Sequence, residues 1–340
     1  MRTVKPLSRL AFGGAVLLLG RALLRHRRKW DLHGRTVLVT GGSRGLGLLI
    51  AHELLREGAR VAICARDSET LARAHRQLAK DGGAVMALPC DVTIREEVDR
   101  VVGHVTEQFG PIDALINNAG TITVGPIDTM RLADFREAMN TNFWGALYAI
   151  LAVVPDMRRR RSGRIVNIVS IGGKVAVPHL LPYSASKFAL AGLSEGLRTE
   201  LARDGIHVTT IYPGLMRTGS PRHALFKGRH RAEYAWFSIS DSLPIASMDA
   251  ARAARQIVQA LRYGEAGRVL GLPARLGATA HGLFPALTAE LLALLNRALP
   301  EADEDPSPLS RDGQASTSVF SPSLLTRLGD RAAEQNNQVG

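Results

Sequence analysis

Apolar residues along the chain fall into two patterns, short continuous runs and longer stretches with helical spacing. A run of about four to eight apolar residues bounded by turn residues is typical of a buried strand, whereas apolar positions three or four residues apart indicate one face of a helix. The strand-like runs lie at residues 35–40, 60–65, 85–90, 114–116, 164–169, 207–212 and 268–270.

Helical stretches separate most of these runs. Alternating strands and helices specify a parallel sheet with helices on both faces, and right-handed crossovers make such a sheet doubly wound. The sequence therefore predicts an α/β Rossmann fold, as a single domain over residues 34–272. The helical stretches lie at residues 46–57, 68–80, 94–109, 132–155 and 184–204.

An apolar segment precedes the predicted domain. Residues 10–24 are apolar apart from Arg21, but the run is shorter than the roughly 20 residues that span a bilayer. Arginines also stand where a signal peptide would be cleaved. Residues 1–33 are thus a short signal anchor, an interfacial membrane helix or an ordinary packing arm. The basic residues that follow would keep the domain on the cytoplasmic face.

Two segments follow the predicted domain. Residues 273–299 are apolar and predict a helix, most clearly over residues 283–299, where Glu290 and Arg297 share a face. Such a helix would contact another subunit, lie on a membrane surface or pack against the domain core. Residues 300–340 are polar and rich in proline and serine, which predicts a disordered tail.

The amino-acid composition bears on whether the protein binds nucleic acid or a metal ion. The content of 46% hydrophobic and 22% charged residues is typical of a globular protein. The net charge of +12 includes an arginine run at residues 158–161. No aromatic residues alternate with that run, so we expect no nucleic-acid partner. Cys64 and Cys90 lie in apolar runs and predict free buried thiols in a reducing compartment, with no metal site.

A glycine turn joins the first predicted strand to the first helix. The turn, TGGSRGLG, contains Gly41, Gly45 and Gly47. Glycines allow a tight turn and a close approach by a pyrophosphate group, which accepts hydrogen bonds from the N–H groups of the helix N-terminus. The turn therefore predicts a dinucleotide site.

Two arginines bear on which dinucleotide binds. The second strand ends at Arg66, not at the carboxylate that binds the ribose hydroxyls of NAD. Its planar guanidinium suits a 2′-phosphate, and Arg44 in the glycine turn supplies a second positive charge. These residues favour NADP(H) as cofactor, unless both arginines merely solvate the surface.

Tyr183 and Lys187 lie four residues apart at the start of a predicted helix, so their side chains share one face. An ammonium group near a phenol favours the phenolate and would lower the tyrosine pKa from about 10 toward neutral pH. This spacing alone is common and usually structural.

Seven motifs in order make the chain resemble a single-domain short-chain dehydrogenase/reductase over about residues 34–272. Motifs that recur together in a fixed order are far more specific than any one of them. They are TGGSRGLG, Asp91 with Val92, NNAG at residues 117–120, Asn142 in NFWG, Ser170, YSASK at residues 183–187, and Pro213 and Gly214 with Thr218.

The resemblance implies a catalytic group of four residues. Ser170 would hydrogen-bond the substrate oxygen, and Tyr183 would give that oxygen a proton as the hydride arrives from nicotinamide. Lys187 would bind the nicotinamide ribose and lower the pKa of Tyr183. Asn142 would hold a water molecule that links Lys187 to solvent.

The resemblance also implies the cofactor contacts. Asp91 and Val92 would contact the adenine, whereas Thr218 and the backbone near Gly214 would position the carboxamide. The implied cofactor-binding residues are Thr40, Gly41, Ser43, Arg44, Gly45, Leu46, Gly47, Arg66, Asp91, Val92, Asn118, Ala119, Gly120, Tyr183, Lys187, Pro213, Gly214 and Thr218.

In the family, the segment after Gly214 forms a mobile lid, here residues 219–248. Its aromatic residues Phe226, Tyr234, Trp236 and Phe237 would line an apolar substrate site, pack the lid itself or form a dimer contact.

The expected function is that of an NADPH-dependent oxidoreductase, a ketone or aldehyde reductase or a secondary-alcohol dehydrogenase. Its partner would be a small lipophilic carbonyl compound or alcohol, and the resemblance implies a homodimer or homotetramer. The alternative is a non-catalytic NADP-binding regulatory or scaffold protein at a membrane. Sugar-nucleotide epimerisation would need a larger C-terminal substrate domain.

Overall fold

The computed structural model describes residues 20, 25–80, 82–302, 309–318, 321, 323 and 326–338. Apart from Gly20, the apolar run at residues 10–24 lies outside the described residues. Among the helices that the structure describes, none is long and apolar enough to cross a membrane.

A seven-stranded parallel sheet forms the centre of the molecule, in the order β3-β2-β1-β4-β6-β7-β11. This order confirms the predicted doubly wound α/β fold, because the chain runs outward from β1 in both directions. The strands are β1 Thr36–Thr40, β2 Arg60–Ala65, β3 Val85–Pro89, β4 Ala114–Asn117, β5 Thr123–Val124, β6 Gly163–Ile168, β7 Ile206–Pro213, β8 Met216–Arg217, β9 Leu225–Phe226, β10 Met248–Asp249, β11 Gly267–Leu270 and β12 Arg311–Asp312.

Helices cover both faces of the sheet. Alternate residues of β1 point to opposite faces, so Val37 and Val39 pack with α1, α2 and α8, whereas Leu38 packs with α3, α5 and α6. The helices are α1 Gly45–Arg56, α2 Ser68–Ala79, α3 Arg95–Phe109, α4 Leu132–Met139, α5 Gly145–Arg160, α6 Leu181–Leu201, α7 His230–Ser242, α8 Ala250–Tyr263, α9 Leu272–Leu283, α10 Pro285–Asn296 and α11 Arg327–Gln335.

The apolar segment after the sheet differs from its prediction. It forms two helices, α9 and α10, because the chain leaves helical geometry at Phe284, before Pro285. Leu287, Leu291 and Leu294 of α10 are each more than half exposed. No residue of α10 is buried, so this helix does not pack against the domain core.

The tail also differs from its prediction. Polar composition predicts disorder from residue 300, yet the described residues include β12, which pairs antiparallel with β9, and α11. Composition misleads here because the segment has little apolar surface of its own. It is held instead by polar contacts with the domain that holds the sheet, such as the hydrogen bond from Gly45 N to Asn336 O.

Candidate active site

Most of the predicted site residues lie at the carboxyl ends of the sheet strands. Thr40 ends β1, Asn118 follows β4, Ser170 lies just after β6, and Pro213 ends β7. In open α/β sheets the ligand crevice lies at this edge, beside the strands where the winding direction changes. Here those strands are β1 and β4.

The glycine turn and the NNAG segment pack against each other. A Cβ atom on Gly41, whose φ is +64°, would lie 2.8 Å from Ala119 Cα, and one on Gly47 would lie 2.2 Å from Gly41 O. Asn118 Nδ2 donates to Gly41 O at 3.0 Å, and Thr40 Oγ1 accepts the N–H groups of Asn118 and Ala119. The fit to a dinucleotide is good, since only glycine suits this close packing and the backbone N–H groups at the N-terminus of α1 are of the kind that bind a phosphate group.

Arg44 and Arg66 lie close enough to affect each other electrostatically. The pKa of Arg44 is lowered mainly by burial, Asp67 opposes this shift, and Arg66 adds to it. Arg66 is exposed and lies 4.0 Å from Asp91 Oδ2. Asp67 caps α2 by accepting Thr70 N–H at 2.6 Å, so its carboxylate is already engaged.

Ser170 and Tyr183 form the centre of the site. Their side chains are hydrogen-bonded to each other, and a Cβ atom on Gly172 would lie 3.3 Å from Tyr183 Cε1. Ser170 Oγ also accepts Gly172 N–H at 3.0 Å. Burial raises the pKa of Tyr183, and the hydrogen bond from Ser170 opposes that rise.

Lys187 lies one helical turn after Tyr183 on α6. Its Nζ is 5.7 Å from the centre of the Tyr183 ring and donates to Ile168 O at 2.9 Å. Burial lowers the pKa of Lys187 to about 8. The expected lowering of the Tyr183 pKa by Lys187 is not found, since burial raises this pKa and the contribution that opposes the rise comes from Ser170.

Asn142 lies in a single turn of π-helix, Asn140–Trp144, between α4 and α5. Its Nδ2 donates to Thr121 O at 3.1 Å and to Ser186 Oγ at 2.9 Å, and its Oδ1 accepts Thr121 N–H at 3.0 Å. A Cβ atom on Gly120 would lie 2.9 Å from Asn142 Oδ1 and 3.6 Å from Lys187 Nζ. Asn142 thus joins the segment after β4 to α6, and its predicted water-holding role stays a prediction.

The remaining residues predicted to bind the cofactor follow strands β3 and β7. Asp91 Oδ1 accepts the backbone N–H and hydroxyl group of Thr93, and buried Val92 would meet a Cβ atom on Gly145 at 2.9 Å. After β7, Gly214 N–H donates to Leu270 O at 3.1 Å.

The aromatic residues of the lid are divided between two environments. Phe226, Tyr234 and Phe237 are buried against one another. Trp236 is partly buried and packs against the same cluster as Tyr183. Three of the four therefore pack the lid itself, and Trp236 packs edge-on against Phe237 with ring centres 5.6 Å apart.

Sequence reasoning missed several residues that contact this site. Thr121 and Ser186 bind Asn142, and Asn336 and Asn337 from the tail contact the glycine turn. No local pattern marks these residues, because each is brought to the site by the fold.

Cys64 and Cys90 are free and buried, as predicted. Within the described part of the chain, no group of three or more histidine, cysteine and carboxylate side chains could hold a metal ion.

Known proteins resemble both the sequence and the fold. A Streptomyces coelicolor protein named as a ketoacyl reductase is 42% identical over 185 residues, 53% of this chain and 70% of its own. The 3-dehydrosphinganine reductase of Danio rerio is 37% identical over 187 residues, 54% of this chain and 56% of its own. An actinorhodin polyketide ketoreductase variant, solved with NADPH, has a TM-score of 0.63 and 32% identity, covering 69% of this chain and 95% of its own.

The family model for short chain dehydrogenases matches residues 35–225, more than half of the chain. That range contains the glycine turn, Asn142, Ser170, Tyr183 and Lys187. The chain therefore belongs to the short-chain dehydrogenase/reductase family of oxidoreductases, as its motifs predict.

Proposed function

We propose that the protein is an NADPH-dependent reductase of lipophilic ketones in which Tyr183 gives the proton. The observation that carries this proposal is the hydrogen-bonded pair of Ser170 and Tyr183, with Lys187 buried beside it. The glycine turn lies at the same edge of the sheet. The reverse reaction, oxidation of a secondary alcohol, would use the same groups.

When bound, the nicotinamide ring supplies the hydride. Ser170 and Tyr183 hold the substrate oxygen between two hydroxyl groups and so stabilise the negative charge that develops on it. The raised pKa of Tyr183 keeps the phenol protonated until that charge appears. With its pKa near 8, Lys187 is mostly protonated at pH 7 and stabilises the phenolate that remains.

Replacement of Tyr183 tests this assignment. Tyr183→Phe removes the proton donor and keeps the ring, so we expect NADPH oxidation by ketones to fall by at least about 100-fold, with NADPH binding retained. Tyr263→Phe, at the end of α8, is the matched control and should leave the rate unchanged. Equal turnover by Tyr183→Phe and the wild type would mean that another group supplies the proton.

The preference for NADPH rests on Arg44 and Arg66. Two nearby guanidinium groups repel each other, and a 2′-phosphate would relieve that repulsion. Asp67, the carboxylate nearest the end of β2, is engaged as the cap of α2. Arg66→Ala should therefore weaken NADPH binding more than NADH binding, whereas the exposed Arg76→Ala should weaken neither. An equal loss for both cofactors would contradict a phosphate contact.

The proposed substrate class rests on the apolar surface beside Tyr183. Ile122, Val177 and Trp236 are partly buried against the same cluster as the tyrosine, so the substrate would approach along apolar walls. Relatives named as ketoacyl and 3-dehydrosphinganine reductases act on carbonyl compounds, which supports this class.

A ketone series of increasing chain length tests the substrate class. Each buried methylene contributes about 0.8 kcal/mol, so kcat/KM should rise about threefold to fourfold per methylene until the site is filled. Trp236→Ala should reduce that dependence, whereas Trp144→Ala, an exposed tryptophan outside that cluster, should not. Equal kcat/KM values for short and long ketones would contradict the proposal.

We also propose that the apolar hairpin, α9 and α10, lies on an anionic membrane surface at the cytoplasmic face. Its exposed leucines would enter the headgroup region, and Arg275 and Arg297 would meet lipid phosphates. The double change Leu291→Glu and Leu294→Glu should abolish sedimentation with phosphatidylglycerol vesicles, and Leu132→Glu should not. Loss of a dimer without loss of vesicle binding would assign the hairpin to a subunit contact.

The family also implies a homodimer or homotetramer. Exposed Trp144, Leu151 and Phe188 on the α5 and α6 side give a second apolar surface that a partner subunit would cover. Light scattering of Leu151→Glu against the wild type tests this, and a monomeric wild type would contradict it.

A further inference from the structure

The tail occupies the crevice where the dinucleotide is expected. We call residues 326–338, which comprise Thr326, α11 and the three residues after it, the cleft segment. Gly45 N–H, at the N-terminus of α1, donates to Asn336 O at 2.8 Å. In a dinucleotide complex, this N–H group would donate a hydrogen bond to the pyrophosphate. The carbonyl of Asn336 therefore takes the place of a phosphate oxygen.

Asn337 bridges the two walls of the crevice on the adenosine side. Its Nδ2 donates to Ser43 O at 2.8 Å and to Thr70 O at 3.0 Å, and its Oδ1 accepts Arg73 Nε at 3.1 Å. Ser43 belongs to the glycine turn, and Thr70 lies in the first turn of α2. Asn337 therefore occupies the space between the glycine turn and α2, the helix that follows Arg66.

The same segment reaches the opposite wall. Asn336 Nδ2 donates to Thr218 O at 3.3 Å, and Gln338 O lies 3.0 Å from His223 Nε2. The other ring nitrogen of His223 lies 3.3 Å from Arg44. Ser43, Gly45 and Thr218, all predicted to bind the cofactor, are thus engaged by the cleft segment.

Close backbone packing leaves no room for a second ligand at these contacts. A Cβ atom on Gly219, whose φ is +81°, would lie 2.4 Å from Ala333 Cα, and one on Gly45 would lie 2.7 Å from Gln338 Nε2. A dinucleotide and the cleft segment therefore exclude each other from the crevice.

The cleft segment is held mainly by hydrogen bonds, so it can leave the crevice. Ala333 is the only buried residue of α11, and the remaining contacts are mostly hydrogen bonds. Segments with few buried apolar contacts open at low free-energy cost. Being part of the same chain gives the segment a high effective concentration at the crevice.

We propose that the cleft segment is an intramolecular inhibitor that competes with the dinucleotide and must leave the crevice before NADPH binds. This inference rests on the proposed function, since it assigns the crevice to NADPH. Occupancy by the segment reduces the fraction of molecules able to bind, and the apparent Kd rises in proportion.

The segment also contacts the lid, so its release affects both parts of the site. Ser242 Oγ, in α7, donates to Thr326 O at 3.3 Å, and Arg222 lies 3.4 Å from Asp330. Departure of the segment removes these contacts as the crevice opens. Cofactor entry and greater lid mobility should therefore occur together.

Asn337→Ala in the full-length chain tests the competition directly. The change removes three hydrogen bonds of the segment and touches no predicted catalytic residue, so the Kd for NADPH, measured by its fluorescence, should fall by about fivefold to tenfold. Gln335→Ala, whose exposed side chain makes none of these contacts, should match the wild type. An unchanged or weakened affinity in Asn337→Ala would overturn the proposal, since a segment that closes over bound cofactor would assist it.

Hydrogen exchange supplies a readout that needs no enzyme activity. Addition of NADPH to the wild type should speed exchange at the amides of residues 336 and 338, which donate to Ala332 O and Ala333 O. Slower exchange there with NADPH bound would overturn the proposal.

A second variant separates this proposal from the proposed function. Ala333→Asp places a charge in a buried contact, so it should speed exchange at the Gly45 amide even without NADPH. No change at Gly45 would overturn the inhibitor proposal. Failure of NADPH to bind to any variant, while the Gly45 amide does become exposed, would instead contradict the proposed function.

Discussion

His179 Nδ1 lies 2.7 Å from Glu233 Oε1, and both side chains are buried. Glu233 Oε2 also accepts Trp236 Nε1–H at 2.6 Å. His179 lies four residues before Tyr183, and Glu233 belongs to the lid helix α7. This pair therefore ties the segment that precedes Tyr183 to α7.

Loss of the Glu233 carboxylate should weaken both the fold and the site. Glu233→Ala leaves the buried His179 ring and the partly buried Trp236 indole N–H without this partner, so the free energy of unfolding should fall by about 3–5 kcal/mol. Glu233→Gln keeps an acceptor and should lose less. Urea denaturation measures both, with the exposed Glu137→Ala as control. A loss in Glu233→Ala no larger than in the control would mean that the pair contributes nothing.

Asp241 should make stability depend on pH. Burial raises its pKa to about 7, Met216 N–H and Arg217 oppose the rise, and Oδ2 has no hydrogen-bond partner in the described structure. Since the folded pKa lies above the unfolded value, its contribution is favourable at low pH and is lost as pH rises toward 7.

Asp241→Asn removes this charge. The variant should be more stable than the wild type by about 2–4 kcal/mol at pH 8, with a smaller difference at pH 5. Asp128→Asn, which is exposed, should show no such pH dependence. A difference that is the same at both pH values would show that the pKa of Asp241 is not raised in the folded protein.

The pattern of apolar residues along the chain predicts the strands of the central sheet. The seven apolar runs correspond to the seven strands of the sheet, because strands buried on both faces are continuously apolar. Two-residue strands such as β9 and β12 are too short to produce a pattern. The π-helical turn that holds Asn142 is not visible in the sequence, because its residues read as one continuous helix from residue 132.

The features that the sequence does not predict depend on contacts between residues far apart in the chain. The motifs locate Ser170 and Tyr183, but not the burial that raises the tyrosine pKa. They also cannot show that Asn337 is bound by Ser43, since 294 positions separate the two residues. Polar composition predicts a tail without structure, whereas the cleft segment obtains its order from the surface that it covers.

Lys187 should reduce stability at neutral pH. Its folded pKa, about 8, lies below the ordinary value of 10.5 because the ammonium group is buried. For a base with a lowered pKa, stability is highest above the unfolded pKa and falls as pH decreases toward 8. Below pH 8 the protein bears the full free-energy cost of burying the charged ammonium group.

Lys187→Met should therefore stabilise the protein at pH 7 by about 1–3 kcal/mol while it abolishes turnover. The gain should shrink as pH rises from 8 to 10. Thermal melts across this range measure it, with exposed Lys80→Met as control. A variant that is less stable than the wild type at pH 7 would mean that the hydrogen bond to Ile168 outweighs the cost of burying the charge.

Asn142 should position the proton-transfer group through Thr121 and Ser186. Asn142→Ala removes three hydrogen bonds, two to the Thr121 backbone and one to Ser186 Oγ, which should cost about 2–4 kcal/mol of stability. Asn140→Ala, exposed in the same π-helical turn, is the matched control and should cost little.

Asn142→Asp separates positioning from electrostatics. Asn142 Oδ1 and Lys187 Nζ both lie against Gly120, so a carboxylate at residue 142 should raise the pKa of Lys187 from about 8. The basic limb of the kcat/KM profile should then move to higher pH, whereas Asn142→Ala should change its height without moving it. If the two variants shift the profile equally, residue 142 does not act through the charge on Lys187. Its role would then be confined to holding the Thr121 segment against α6.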